Sequence, residues 1–358
     1  MDNSRRWFFA AIWVIILGLG LTAVVNYIID PYGIFRKDFS YQFIEPNKHY
    51  IKARYISEHP DKYDCFVFGS SRANNIDVRK IKDGRCYNMQ FAGGLPREYL
   101  DTMKYMVKKG VNIKFALIAL DEVSFQYNPD EHLSQPMRHP YPPVIGEPLF
   151  TYYLQYLFFY YDWKIMKVCI DGYVNKLRGI ITEGAIRHDM YETGQTFSPR
   201  EDQAIEKDPV AHANKPEFQR RFRPEDVYMD GVIKDLKDFV GFAKENHIQL
   251  KFFIVPLYNT KYLDSGPDEL DRFKKALSKM TDFWDFSGLN SITTNKYYYY
   301  ETWHFRTMVG DMVLSRVLGN QDVTVPEDFG TFVTAQNVDD HLQRLRQQMQ
   351  EYLKKEKQ

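Results

Sequence analysis

Cys65-Phe66-Val67-Phe68-Gly69-Ser70-Ser71-Arg72 is the stretch on which the reading of the fold turns. Four apolar residues in a row, bounded by a glycine, predict a short strand buried on both faces. The Gly-Ser-Ser that follows predicts a tight turn into a polar helix start, which lifts a serine hydroxyl clear of the sheet edge. A serine at neutral pH is a weak nucleophile until a neighbouring base takes its proton, and that base needs a third group to orient it. Far along the chain, Glu301-Thr302-Trp303-His304-Phe305 offers both, with His304 as the base and Glu301 as its orienting carboxylate. Asp285, in Trp284-Asp285-Phe286, is the alternative orienter.

Working outward, the chain passes through Asn74-Asn75 and a short helix near 78–81 to a second strand at 85–90, then Ala92-Gly93-Gly94-Leu95-Pro96. A helix follows at 97–109, with Tyr99, Met103 and Met106 on one side at helical spacing. A third, almost wholly apolar strand spans 114–120 and ends in Asp121-Glu122. The same rhythm returns late, with helices at 232–246, 268–280 and 306–318 and a strand at 250–255. Strand and helix in short alternation predict an α/β fold: a parallel sheet with helices on both faces. The rhythm is lost between about 128 and 224. Here Tyr152, Tyr153, Tyr156, Phe158, Phe159, Tyr160, Tyr161 and Trp163 crowd one stretch, read as a buried helix on the sheet or as a membrane-surface or acyl-chain contact. Residues 187–216, rich in Asp, Glu, Gln and Pro, read as a mobile loop.

The amino terminus sets the location. Arg5-Arg6 precede an uncharged run over 7–29, roughly 23 residues, enough for a helix to cross a hydrocarbon core of about 30 Å. A cleavable signal would have an apolar stretch of only about 7–15 residues and a small-residue cleavage site, and this segment has neither. Positive charge before the run and Asp30 after it favour an amino terminus in the cytoplasm and the rest of the chain outside, although Arg36 and Lys37 lessen the asymmetry. The organisation that follows is a cytoplasmic end at 1–6, a transmembrane helix at 7–29 and a linker at 30–60. An α/β domain then covers 61–320 with its insertion at about 128–224. Last comes a tail at 321–358, where Val338, Leu342, Leu345, Met349 and Leu353 mark an amphipathic helix in need of a surface, its own domain or a partner.

Composition removes several function classes. Lys plus Arg and Asp plus Glu each number 47, for a formal net charge of zero, so the basic footprint of a nucleic-acid binder is absent. Cys65, Cys86 and Cys169 are too few and wrongly spaced for a zinc site. They read as apolar core residues, or as a Cys65–Cys86 disulfide in an oxidising compartment. There is no Gly-rich phosphate loop and no dinucleotide fingerprint.

Taken together, the Gly69-Ser70-Ser71 turn, the Asn88-to-Gly94 segment and Glu301-x-x-His304 resemble the SGNH or GDSL-type hydrolases. They are most similar to the membrane-anchored branch related to alginate O-acetylation and teichoic acid D-alanylation proteins. The resemblance covers about residues 30–320. It implies a three-layer, flavodoxin-like sheet with Ser71 as nucleophile, His304 as base and Glu301 in the place of the family's aspartate. Ser70 stands where the family has the aspartate of its Gly-Asp-Ser turn. It further implies an oxyanion amide at Gly94 within Asn88 to Gly93-Gly94. The family's Gly-x-Asn turn is not matched: Ala119-Leu120-Asp121-Glu122 has no asparagine. The implied activity is a serine-dependent O-acyltransferase or esterase on the periplasmic, extracytoplasmic face of a bacterial cytoplasmic membrane, with no metal and no organic cofactor. Its implied partners are a cell-surface glycan or lipid-linked acceptor and a multi-span membrane acyltransferase that loads the acyl group. A non-catalytic binding or assembly subunit of a cell-envelope glycan machinery is the alternative, and a structural membrane protein with a recruiting tail is a third.

Around the serine, each polar residue has two readings. Arg72 either contacts a substrate carboxylate or phosphate, or pairs with Asp77. Asn74 and Asn75 either line the cleft or cap the turn. Gly93 and Gly94 permit positive φ and can aim an amide at an oxyanion. Asp121 and Glu122, at the carboxyl end of a strand, either bind substrate or cap the next turn.

Overall fold

The apolar runs at 65–68, 114–120 and 250–255 form the middle of one six-stranded sheet. In the computed structural model the described residues are 3–37, 39, 42, 44–132, 135–179, 187–219, 228–319 and 323–355. The strands are β1 (Cys65–Phe68), β2 (Cys86–Asn88), β3 (Phe115–Leu120), β4 (Arg187–Asp189), β5 (Gln195–Phe197), β6 (Gln249–Ile254), β7 (Phe283–Asp285) and β8 (Thr331–Val333). The main sheet runs β2-β1-β3-β6-β7-β8, parallel throughout except for the antiparallel edge strand β8. β4 and β5 form a separate antiparallel hairpin. Every residue of β1, β2 and β3 is buried, so both faces of that part of the sheet are covered.

The main helices are α1 (Asn3–Ile29), α2 (Lys48–Glu58), α3 (Pro96–Lys108), α4 (Leu149–Leu157), α5 (Trp163–Leu177), α6 (Pro199–Lys207), α7 (Met229–Glu245), α8 (Pro267–Ser278), α9 (Thr307–Leu318) and α10 (Val338–Lys355). α3 starts at Pro96, whose missing N–H costs nothing there, and Glu98 accepts a 2.9 Å hydrogen bond from the Leu95 amide. α3 packs on α7, and α7 on α8. α1 is long and apolar enough to span a membrane, and its most apolar window, mean hydropathy 2.6, is buried nowhere against the rest of the chain.

Three expectations differ, and a fourth, left between two readings, is settled. The 30–60 segment is not a bare linker: α2 lies inside it with eight buried residues, Tyr50, Lys52 and Ile56 among them. The aromatic stretch does not pack on the sheet. Tyr152, Tyr156 and Tyr161 join Tyr32, Tyr50 and Tyr105 in a second apolar core between α2, α4 and the foot of α1. The 187–216 segment is an ordered hairpin followed by α6, with Gln195 and Thr196 buried. The carboxy-terminal helix finds its surface on its own domain, α10 lying against α8 and β8 with Val338, His341, Leu342 and Leu345 buried. Residues 133–134, 180–186 and 220–224 of the expected insertion lie outside the described residues.

Cys65 and Cys86 are direct partners across β1 and β2 and form a disulfide, correcting the reading of both as plain core residues. Cys169 is a buried free thiol.

Candidate active site

The carboxyl ends of β1 and β3 meet where the chain's winding reverses, since β2 lies on one side of β1 and β3 on the other. That reversal leaves a crevice in which open α/β sheets hold ligands. Gly69 makes the exit from β1 possible. A Cβ there would stand 2.5 Å from the Ala73 Cβ and 2.8 Å from that of Ala119. A 3-10 turn, Ser71–Asn75, follows at once, capped by the Ser70 side chain.

The two serines have separate tasks. Ser70 is buried and its hydroxyl donates to the Asp121 carboxylate, while it accepts from the Arg72 amide. Ser71 faces the cleft, its Oγ 2.8 Å from His304 Nε2. On the far side of the imidazole, Nδ1 is hydrogen-bonded to Glu301 Oε1. The other Glu301 oxygen accepts from the Trp303 amide at 2.7 Å. Burial alone would push the Glu301 carboxyl up, but His304, the Trp303 amide and the Arg72 charge outweigh it and hold the carboxyl below its usual range. An anionic Glu301 accepts a hydrogen bond from Nδ1–H and leaves Nε2 free to accept from Ser71. Glu301 and His304 share one closed loop, pinned by the Tyr299–Phe305 bridge and the 2.9 Å bond from the Tyr300 amide to the His304 carbonyl.

Arg72 does not pair with Asp77, which binds Arg79 instead. Its guanidinium is buried and reaches Asp121 Oδ2 at 2.7 Å, Glu122 Oε1 at 2.6 Å and the Trp303 carbonyl at 2.9 Å. Lys261 joins the cluster, 3.3 Å from Glu122 and 3.9 Å from the centre of the Trp303 ring. Burial pulls the Lys261 ammonium down from its ordinary value, and Glu122 opposes this without cancelling it. Asp121, Glu122 and Arg72 are therefore support beneath the serine turn and no surface for substrate.

Asn88 is fully buried and likewise structural. It donates to the Ala73 carbonyl at 2.8 Å and the Ile76 carbonyl at 3.3 Å and so fastens the serine turn from below. Gly93 sits at φ 58 in the expected turn. The Gly94 N–H donates to the Phe91 carbonyl, and Tyr99 and the Gly69 carbonyl crowd the position, so this amide is committed to the turn. The Ser71 amide stands at the start of the 3-10 turn, where the first N–H groups have no acceptor within the turn. Asp285 is not near the histidine role: it binds Lys274 at 2.9 Å and His341 at 2.8 Å, beneath α10.

A cleft of about 370 Å³ opens over Ser71 and His304. Asn74, Asn75, Glu301 and Tyr300 line it, and so do Lys48 and Glu45, Ala92, and the Thr196, Ser198 and Glu201 edge supplied by the β5–α6 segment. Lys48 is ion-paired with Glu45 at 2.6 Å. Burial raises the Glu201 carboxyl above its ordinary value. Asn74 holds the hairpin in place, bonding the Thr196 carbonyl at 2.6 Å and the Thr196 amide at 2.8 Å. Arg306 ties α6 to the histidine loop through Asp202 at 2.8 Å and Glu206 at 3.1 Å. Lys48, Thr196 and Glu201 were invisible to motif reading; Asn47 as a helix cap just before Lys48 is the one local signal.

No family model matches the chain, and no curated protein matches it.

Proposed function

We propose that the protein is a serine-dependent acyltransferase or esterase of the SGNH type, tethered by α1 to the outer face of a bacterial cytoplasmic membrane and acting on a surface glycan or lipid-linked sugar. One observation carries the reading: Ser71, His304 and Glu301 form an unbroken hydrogen-bonded relay that opens into a cleft. The winding order of the five parallel strands, second-first-third-fourth-fifth, supports the flavodoxin-like form of the sheet. The Cys65–Cys86 disulfide supports an oxidising compartment for the domain.

In this mechanism Ser71 Oγ attacks the acyl carbonyl as His304 Nε2 takes its proton, and Glu301 stabilises the imidazolium. The Ser71 amide donates to the oxyanion, a contact worth about 3 kcal/mol in such sites. His304 then returns the proton to the departing oxygen, leaving an ester on Ser71. In the second half an acceptor hydroxyl, or water, gives its proton to His304 and takes the acyl group, which restores the serine.

The test is intact-mass measurement of the full chain in detergent after exposure to a fluorophosphonate. One adduct per chain in the native protein, and none in Ser71→Ala or His304→Ala, is the expected result. A folded native protein that takes no adduct would sink the proposal.

A further inference from the structure

The corner joining α4 to α5 carries a group of aromatic rings that the fold does not cover. Tyr160 is 89 % exposed, Trp163 69 %, Phe158 46 % and Phe159 38 %, all within six residues, while neighbouring Tyr161 is buried. A soluble surface seldom leaves so many large rings together in water without a partner. Their position is fixed. Asn26, 4 % exposed in the last turns of α1, donates through Nδ2 to the Leu157 carbonyl at 2.8 Å and the Phe159 carbonyl at 3.0 Å. An amide in an apolar helix has little other use, and here it binds the corner at the level where α1 ends. Both α4 and α5 pack on α1.

We propose that this corner, with the outer side of α5, is a lipid-binding surface seated at the boundary between headgroups and acyl chains beside the exit of α1. The inference rests on α1 spanning a membrane. Aromatic rings with a wet and a greasy side concentrate at that depth, and helices lying in it combine Trp with Lys and Arg. α5 fits this pattern: it opens on Trp163 and exposes Lys164, Lys167 and Lys176, followed by Arg178. Beside Gly33, where the chain leaves α1, a cavity of about 310 Å³ is lined by Arg36, Lys37 and Arg54, the last paired at 3.0 Å with Glu58 of the same lining, and Arg36 and Lys37 are cations suited to the phosphate level. A span and a second contact together would fix how the catalytic domain stands on the membrane, where a single helix alone would let it swivel.

The full chain, with Cys169→Ala removing the free thiol, is reconstituted in vesicles of phosphatidylcholine and phosphatidylglycerol. Single cysteines replace Tyr160, Ile16 or the exposed Asp268 of α8, each labelled with an environment-sensitive dye. Nitroxide lipids then quench from the headgroup end or from mid-chain. The dye at 16 should be quenched from mid-chain, the dye at 160 about twofold by the shallow nitroxide, and the dye at 268 by neither. Quenching at 16 with none at 160 overturns the lipid surface and leaves the span intact. No quenching at either position overturns the span itself and the inference with it. A blue-shifted but unquenched dye at 160 assigns the corner to a protein partner or a second copy, which also overturns it.

Discussion

Arg72 stands next to Ser71 yet turns away from the cleft. Its three contacts, to Asp121, Glu122 and the Trp303 carbonyl, join the serine turn to the histidine loop, segments more than 200 residues apart. A planar fork can hold three acceptors at once, and a lysine ammonium presents one compact charge. Arg72→Lys is therefore expected to keep the fold but slow fluorophosphonate labelling of Ser71, with labelling rate and thermal unfolding measured on the same sample. Arg72→Ala strands buried carboxylates and should cost about 3–5 kcal/mol of stability. At Glu301 the expectation is sharper. Glu301→Gln keeps the shape but removes the charge that selects the imidazole tautomer, and labelling should fall on the order of 10⁴-fold. A rate within a factor of about ten of the native one would show that another group orients His304.

Among the elements, α10 is held by more than its apolar stripe. His341 and Lys274 converge on Asp285, all three buried, and Lys274 also donates to the Ser287 hydroxyl at 2.7 Å. Burial pushes the Asp285 carboxyl up, but Lys274 and His341 prevail and hold it well below the ordinary carboxylate range. A group depressed in the folded state stabilises it fully above its unfolded value, about 4, and loses that contribution as pH falls towards the folded value. Unfolding free energy should thus drop below about pH 4, and Asp285→Asn should flatten that acid limb while lowering stability at pH 7. Denaturant titrations at several pH values read both effects. His341→Ala should cost about 1–3 kcal/mol and loosen α10 first, visible as faster amide exchange over 338–355. The β4–β5 hairpin with α6 is the other element of consequence, because Asn74 and Arg306 press it against the triad and it supplies one wall of the cleft.

For the whole molecule, the disulfide closes a loop of 21 residues between adjacent parallel strands, one of them carrying the serine turn. Constraining the unfolded chain over such a loop is worth about 3 kcal/mol. Reduction, or Cys65→Ser with Cys86→Ser, should lower the melting temperature by several degrees, and Cys169→Ala should leave it nearly unchanged. The parallel α/β rhythm, the apolar amino-terminal helix, the Gly69-Ser70-Ser71 turn and Glu301-x-x-His304 could be read directly from the chain. Each rests on local pattern: runs of apolar residues, a turn after a strand, a carboxylate three residues before a histidine. What decided the rest was proximity between distant residues. Arg72 finds Asp121 across 49 positions and His341 finds Asp285 across 56. Lys48, Thr196 and Glu201 meet over Ser71 from segments read as linker and loop. No local signal separates a buried charge pair from two solvated charges, or Ser70 from Ser71, because the difference is the cost of burial, and only packing sets that cost.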